Sequence, residues 1–433
     1  MGSEWTQMGL GEAGVVLLDC LHKTPAAQDE GYPYITIPEM KSGRLDLKAA
    51  RRISDEDFVT WTQKALPQPH DVVLSRRCNP GETAYVSSDA TEFALGQNLV
   101  LLRADGTHIF PPFLRWLLNG PEWWDQIRTF LNVGAVFDSL KCADIPRFEV
   151  TLPPLGEQER IAEILGSLDD KIELNRRMNG VLEGVARALF RAWFVDFEPV
   201  KAKAAGAGRF PGMPQAVFDA LPSGFRDSEI GEIPEGWEVV PLDTLFEINP
   251  RRSLKKGETA PYLAMADMPT QGHAPMCWED RAFGSGMRFT NGDTLVARIT
   301  PCLENGKTAF VDFLPPDTVG WGSTEYIVMR PCDPLPPVYA YCLARSSEFR
   351  DFAISNMTGT SGRQRVPAAA LGHYLVVRPD DATAKAFGEN AEPLFAMAAG
   401  RQEESRVLGA LRDALLPRLI GGDLAGTHTE EVT

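Results

Sequence analysis

Apolar residues recur in alternating steps of four and three along two long stretches of this chain. In the first, Ile161, Leu165, Leu168, Ile172, Asn175, Asn179, Leu182, Ala186 and Leu189 fall on one side of a helix. This is the period of a heptad seam rather than of a general amphipathic stripe. The pattern predicts one helix from Gly156 to Phe197, bounded by Pro153-Pro154 and Pro199, where a helix should not continue. The second stretch places Phe387, Ala391, Leu394, Ala398, Arg401, Ser405 and Leu408 in the same rhythm, continuing to Leu415. It predicts a helix from about Thr383 to Leu419, with a kink at Pro393 or a later start. At 1.5 Å per residue, about 40 residues make a rod on the order of 60 Å. Two such seams in one chain can serve each other as partners in an intramolecular coiled coil. Asn175 and Asn179 would then fix register at a cost in stability; the alternative is that they face solvent on a helix packed against a globular domain.

Each helix follows a strand-rich segment of similar length, and the two segments echo each other in order. Glu4-Trp5-Thr6-Gln7-Met8-Gly9-Leu10 is a short form of Ile233-Pro234-Glu235-Gly236-Trp237-Glu238-Val239-Val240-Pro241-Leu242. The run from Pro33 to Met40 matches the run from Pro261 to Met268, and Asp71 to Arg76 matches Asp293 to Arg298. Alternation and β-branched content make these runs short strands. A repeat of roughly 220 residues is too long for a solenoid unit and predicts a duplicated mixed α/β (α+β) module, each copy followed by its helix. Between them, Lys201 to Glu235 is rich in Ala, Gly and Pro and has the composition of a linker with short ordered pieces.

With 433 residues, 44% of them hydrophobic, the chain can build more than one core. Seven scattered cysteines without a C-x-x-C pair suggest neither a disulfide framework nor a zinc site, which fits a reducing, cytoplasmic setting. The amino terminus lacks the pattern of a signal peptide, and no run of eighteen apolar residues predicts a membrane span. A formal charge of -16 opposes binding to a polyanion, but the charge is unevenly spread. Residues 236–379 hold fourteen Lys and Arg against fifteen Asp and Glu, while residues 380–433 hold five against ten. The first module, residues 1–150, holds fourteen against twenty, so a basic surface there has to be local.

The string Pro301-Cys302-Leu303-Glu304-Asn305-Gly306-Lys307-Thr308 ends as a phosphate-binding loop does. It lacks the first glycine, and Ala309-Phe310-Val311 continues as a strand rather than a helix, so a strand–turn–strand hairpin is the better account. None of the six histidines falls at metal-ligand spacing, and no G-x-S-x-G elbow or G-x-G-x-x-G loop follows a strand. Asp71 and Asp293, which open matching strands, are expected as turn or capping residues. No catalytic residue and no metal site is therefore expected. What remains is a set of polar and basic loop positions: Arg76, Arg77, Arg298, Asn305, Lys307, Ser361, Arg363, Gln364 and Arg365. Arg and Gln can bridge base edges bidentately, although any one of them is more often a solvated surface group. Thr358 to Arg365 is the strongest of these loops, since its glycines let backbone approach a ligand closely.

Several strings resemble the specificity subunits of type I restriction–modification systems. They are the runs from Leu152 to Leu165 and Leu168 to Arg177, the run Trp193-Phe194-Val195-Asp196-Phe197, and the runs from Arg298 to Lys307 and Ser323 to Pro331. The resemblance spans nearly the whole chain. It implies two similar target-recognition domains related by a pseudo-two-fold and separated by two long antiparallel helices forming an intramolecular coiled coil. The segments would be 1–152 and 236–379 for the domains, 153–198 and 380–420 for the helices, 199–235 for a linker and 421–433 for a tail. It further implies that each domain reads half of a bipartite site in double-stranded DNA, with the helices as a ruler. Two modification subunits would carry S-adenosylmethionine for adenine methylation, and restriction subunits joining the complex would use ATP and Mg, leaving no cofactor in this chain. The docking and coiled-coil positions would be Ile161, Leu165, Leu168, Ile172, Asn175, Asn179, Leu182, Leu189, Phe387, Leu394, Leu408 and Leu415. Two other readings stay open on the residues alone: a scaffold that binds proteins through its helices, and a self-sufficient DNA methyltransferase or nuclease.

Overall fold

The structure, a computed structural model, describes residues 5–41, 43–134, 138–360 and 362–422. Its described residues form two compact units, one of those within 5–170 and 409–422, the other of those within 171–408.

In the first unit, Leu99–Ala104 lies between Val15–Asp19 and Val72–Ser75, and Thr83–Tyr85 completes an antiparallel sheet of four strands. The central strand is a nearly continuous apolar run because both of its faces are covered. One face packs on Phe113, Trp123 and Phe148, together with Ile161 and Leu165 of one long helix and Leu419 and Ile420 of the other. The opposite face packs on Ile35, Phe93 and Leu95. Beside it, Tyr32–Ile35 runs parallel to Ala94–Leu95 and antiparallel to Arg51–Ile53. The pair Thr6–Gly9 and Glu149–Leu152 closes the module just before a long helix begins.

The second unit repeats this plan. Tyr326–Pro331 lies between Phe246–Ile248 and Thr294–Ala297, with Thr308–Phe310 at the end of the sheet. Thr259–Leu263 runs parallel to Gly320–Gly322 and antiparallel to Glu279–Ala282. Glu238–Pro241 pairs with Leu375–Arg378, again just ahead of a long helix. The three sequence echoes thus fall on equivalent strands in equivalent sheets.

The first long helix spans Leu155–Phe194 and the second Asp381–Ile420. The second does not begin late: Asp380 accepts hydrogen bonds from the backbone and hydroxyl of Thr383 and starts the helix ahead of Pro393. Each unit takes part of both helices. In the second unit Asn175 donates to Glu404 (2.8 Å) and to Ser405 and the Arg401 carbonyl, while Asn179 donates to the Ala398 carbonyl (3.1 Å). Partner numbers fall as helix numbers rise, so the segments are antiparallel, and both Asn residues face the partner helix rather than solvent. Ile161, Leu165, Ala186, Phe387, Ala391 and Ala398 are buried, and Leu168, Ile172, Leu182, Leu189, Leu394, Leu408 and Leu415 are half-buried. At the lower end of the second unit's core, Phe190, Trp193 and Phe194 pack against Phe387 and Tyr339 in tilted and edge-on ring contacts.

The stretch 199–235 carries the short ordered pieces expected of it, and these pack on the second unit. It forms helices Glu198–Ala204 and Gln215–Ala220 and the hairpin of Phe225–Ser228 with Gly231–Pro234. Val200, Met213, Phe218, Leu221 and Ile233 enter the core of the second unit. Gly206 and Gly212 take positive φ in the turns, Pro199, Ala202, Ala204, Ala216 and Ala220 sit in the helices, and the widely spaced apolar residues provide the anchoring.

In the first unit Asp169, with only 11% of its side chain exposed, accepts from three guanidiniums: Arg44, Arg115 and Arg412. Burial pulls the Arg115 guanidinium below its ordinary pKa, and the Asp169 charge opposes that shift. Asp169→Ala leaves these cations partly desolvated without their shared anion. It is expected to lower the unfolding free energy by about 3–5 kcal/mol, checked by urea denaturation; a loss below about 1 kcal/mol would show that the cluster is not a structural keystone.

Candidate nucleic-acid interface

The polar loops converge in the second unit. After Thr294–Ala297 the chain leaves the sheet at Arg298, runs through a turn-rich loop and returns at Thr308–Phe310. This is the expected hairpin, though its connection is longer than a two-residue Asn-Gly turn. The Val366 amide donates to the Arg298 carbonyl and the Thr300 amide to the Gln364 carbonyl, so the 358–366 loop is stitched along the 298–300 segment. Arg365 bridges to both Ile299 and Thr358.

These positions fall into two groups. Asn305 and Arg363 are exposed, and Gln364 is half-buried with its carbonyl engaged. Lys307, Arg365 and Arg76 serve the fold. Lys307 donates to the Met265 and Ala266 carbonyls. Arg365 grips Glu325 through Nε and Nη2 at 2.8–2.9 Å. Arg298 is half-buried, and its Nε, itself buried, lacks a hydrogen-bond partner. In the first unit Arg76 is buried and donates to the Leu140 carbonyl, whereas Arg77 is exposed. Ser361 lies outside the described residues.

Sequence reasoning missed a pair of buried ion pairs at matching places. Asp71, at the start of Val72–Ser75, accepts from Arg103 Nε and Nη2 at 2.7 Å and from the Gln68 amide. Asp293, at the start of Thr294–Ala297, accepts from Arg330 Nε at 2.7 Å, from Arg252 and from the Thr290 amide. Both carboxylates are buried, and each orders a strand and its turn, as a turn-capping role requires. The signal was present: Leu99-Val100-Leu101-Leu102-Arg103-Ala104 echoes Tyr326-Ile327-Val328-Met329-Arg330-Pro331. Among the described residues, one group of potential ligands, Asp19, Cys20 and His22, lies close enough together to hold a metal. The His22–Asp19 hydrogen bond and the Cys20 hydrogen bond to the Gly96 carbonyl account for all three side chains.

Comparison with known proteins shows what this arrangement is similar to. Residues 3–183 match the family model described as the type I restriction modification DNA specificity domain. The match covers the first module and most of its long helix. The chain is 21% identical over 417 residues to the type I restriction enzyme HindI specificity subunit of Haemophilus influenzae, covering 85% of this chain and 89% of the relative. It is 26% identical over 397 residues to the type I restriction enzyme MjaIX specificity subunit of Methanocaldococcus jannaschii, covering 87% and 82%. The crystal structure of a type I restriction-modification S subunit from M. genitalium shares the fold, with a TM-score of 0.53 at 14% identity over 96% of both chains. In sequence the chain is thus similar to the specificity subunits of type I restriction–modification systems. No helix among the described residues is long and apolar enough to cross a membrane.

Thiol chemistry offers a check on the first module. Burial pushes the Cys20 thiol up to about 11, while Cys78, just beyond Arg76 and Arg77, is exposed. Only the thiolate reacts, and below pH 11 Cys20 stays largely protonated as well as covered. At pH 8 an alkylating reagent should therefore modify Cys78 well before Cys20, as followed by peptide mass spectrometry. Equal rates would mean that the sheet edge at Cys20 is open in solution.

Proposed function

We propose that this chain is the DNA-reading, non-catalytic subunit of its complex, each module reading one half of a bipartite site. The observation that carries this reading is the duplication: two modules with one strand order, each leading into one of two paired helices, in a chain similar to specificity subunits. A duplicated reader suits a target in two parts, and a helix of 40 residues, about 60 Å long, can span more than one DNA turn. In the second module the exposed Asn305 and Arg363 and the half-buried Gln364 are the groups best placed to meet DNA; Lys307 and Arg365 would have to exchange internal partners to do so.

The helices also offer a docking face. Leu174, Met178, Val181 and Val185 lie four, three and four residues apart and are 36–65% exposed, forming a second heptad row outside the inner seam. Such a row fits an amphipathic helix of another subunit, and we assign it to a modification subunit. That subunit, loaded with S-adenosylmethionine, would flip and methylate the target adenine; restriction subunits with ATP and Mg would join for cleavage. The strongly acidic chain is then expected to bind DNA weakly by itself, with affinity supplied by the assembled complex.

Single-molecule methylation mapping tests the reading. DNA from cells expressing this chain with its modification subunit should carry N6-methyladenine in both halves of a split motif, and DNA from cells lacking the chain should not. A soluble complex that leaves no chain-dependent methylation would overturn the reading and favour a protein scaffold. Val181→Glu, placed in the outer row, should weaken capture of the modification subunit at least tenfold in a pull-down without lowering the melting temperature. Undiminished capture would show that the row is not the docking face.

A further inference from the structure

Resting on the DNA-reading function above, we propose that Glu183, Tyr341 and Arg345 are positioning residues through which the first long helix sets the shape of the turn carrying Asn305 and Lys307. Arg345 follows the helix Pro337–Ala344 and faces inward. Its Nη1 donates to the carbonyls of Thr270 and Gly306, and its Nη2 to those of Gly272 and Thr308, at 2.5–2.9 Å. One guanidinium thus clamps two separate segments, and two of the four carbonyls flank Lys307.

The clamp is wired to the helix. Arg345 Nε donates to the Tyr341 hydroxyl at 2.9 Å, and that hydroxyl donates to Glu183 Oε1 at 2.8 Å. Glu183 lies on the long helix and is 7% exposed, and Tyr341 is buried between the rings of Phe310 and Phe395. One and two turns further along the helix, Arg187 donates to the Arg345 carbonyl and Arg191 pairs with Glu348. A carboxylate buried on a helix is costly unless it is hydrogen-bonded; here it fixes the tyrosine, and through it the arginine fork, in one orientation.

A second observation carries the same idea independently. In the first unit the short helix Leu114–Leu117, which follows the central strand as Pro337–Ala344 does in the second, carries Arg115. Arg115 pairs with Asp169 on the long helix at 3.3 Å and covers the Tyr85 ring at 4.3 Å. Asp169 in turn holds Arg44 of the hairpin formed by Met40–Lys41 and Arg44–Leu45. Each unit therefore links an acidic side chain of the long helix to its own module through an arginine, within the helix that follows the central strand in the first unit and just after it in the second. The consequence is specific: a residue of the helix governs how faithfully one half of the site is read.

Tyr341→Phe keeps the ring and removes the link. In the full chain bound to its modification subunit, amide hydrogen exchange at 270–273 and 304–308 should accelerate at least tenfold, while the central strand stays protected. Methylation mapping should show relaxed base preference in one half of the split motif only. Unchanged exchange in both segments would overturn the positioning role, and so would altered exchange with both halves read as before. A wild-type complex that methylates no split motif would instead overturn the DNA-reading function, whatever the exchange shows. Arg345→Lys, which cannot span four carbonyls, gives the same two readouts if Tyr341→Phe does not fold.

Discussion

The antiparallel pairing of the two long helices rests on polar groups that have no water to turn to. An apolar seam of period 3.5 tolerates a slip of one heptad at little cost, since leucine meets leucine again. Asn175 removes that freedom in the second unit because its amide finds Glu404, Ser405 and the Arg401 carbonyl in one register only. Asp169 does the same in the first unit through Arg412. Any other register leaves a desolvated amide or carboxylate without a partner, which costs about 1–3 kcal/mol for the amide and more for the charge. The Oδ1 atoms of Asn175 and Asn179 are buried without a hydrogen-bond partner, so the seam accepts a loss in stability as the cost of a single alignment.

The same economy recurs inside the modules. Each sheet places an aspartate at the entrance to one strand and an arginine on the neighbouring central strand, Asp71 with Arg103 and Asp293 with Arg330. A carboxylate this deeply buried needs both a counter-charge and a backbone donor, and the Gln68 and Thr290 amides supply the latter. The pair therefore fixes a turn as well as a strand offset. Duplication preserved it because neither half can be replaced singly without leaving an uncompensated charge inside the fold.

How much of this was legible depends on whether a feature is periodic. The helices, their seam, the duplicated strands and the absence of a phosphate-binding loop at Lys307 follow from local pattern, because a heptad or an alternating strand repeats its signal every few residues. The packing of the 199–235 stretch was not legible, since Phe218, Leu221 and Ile233 meet their core partners only after the chain folds. Contacts such as Arg345 to Gly272 join residues 73 positions apart and leave no periodic trace. The loop arginines were the hardest to read. Exposed and buried guanidiniums have the same letter in the sequence, and only tertiary contacts separate Arg363 from Arg76.

That separation changes the electrostatic argument. Residues 236–379 are nearly neutral by count, yet Arg365, Arg330 and Arg252 already neutralise Glu325 or Asp293, and Lys307 is held by carbonyls. A cation engaged in this way contributes to a phosphate or base contact only after giving up a partner, so its net gain is the difference between two interactions of similar kind. Attraction to a polyanion is thereby kept low wherever the chain meets the wrong surface. Under the proposed DNA-reading function, a correct site would have to offer enough simultaneous contacts to offset the exchanges. Fixing the turn around Lys307 from the helix side would sharpen this contrast under the proposed function, because a rigid turn cannot adapt its donors to a mismatched partner.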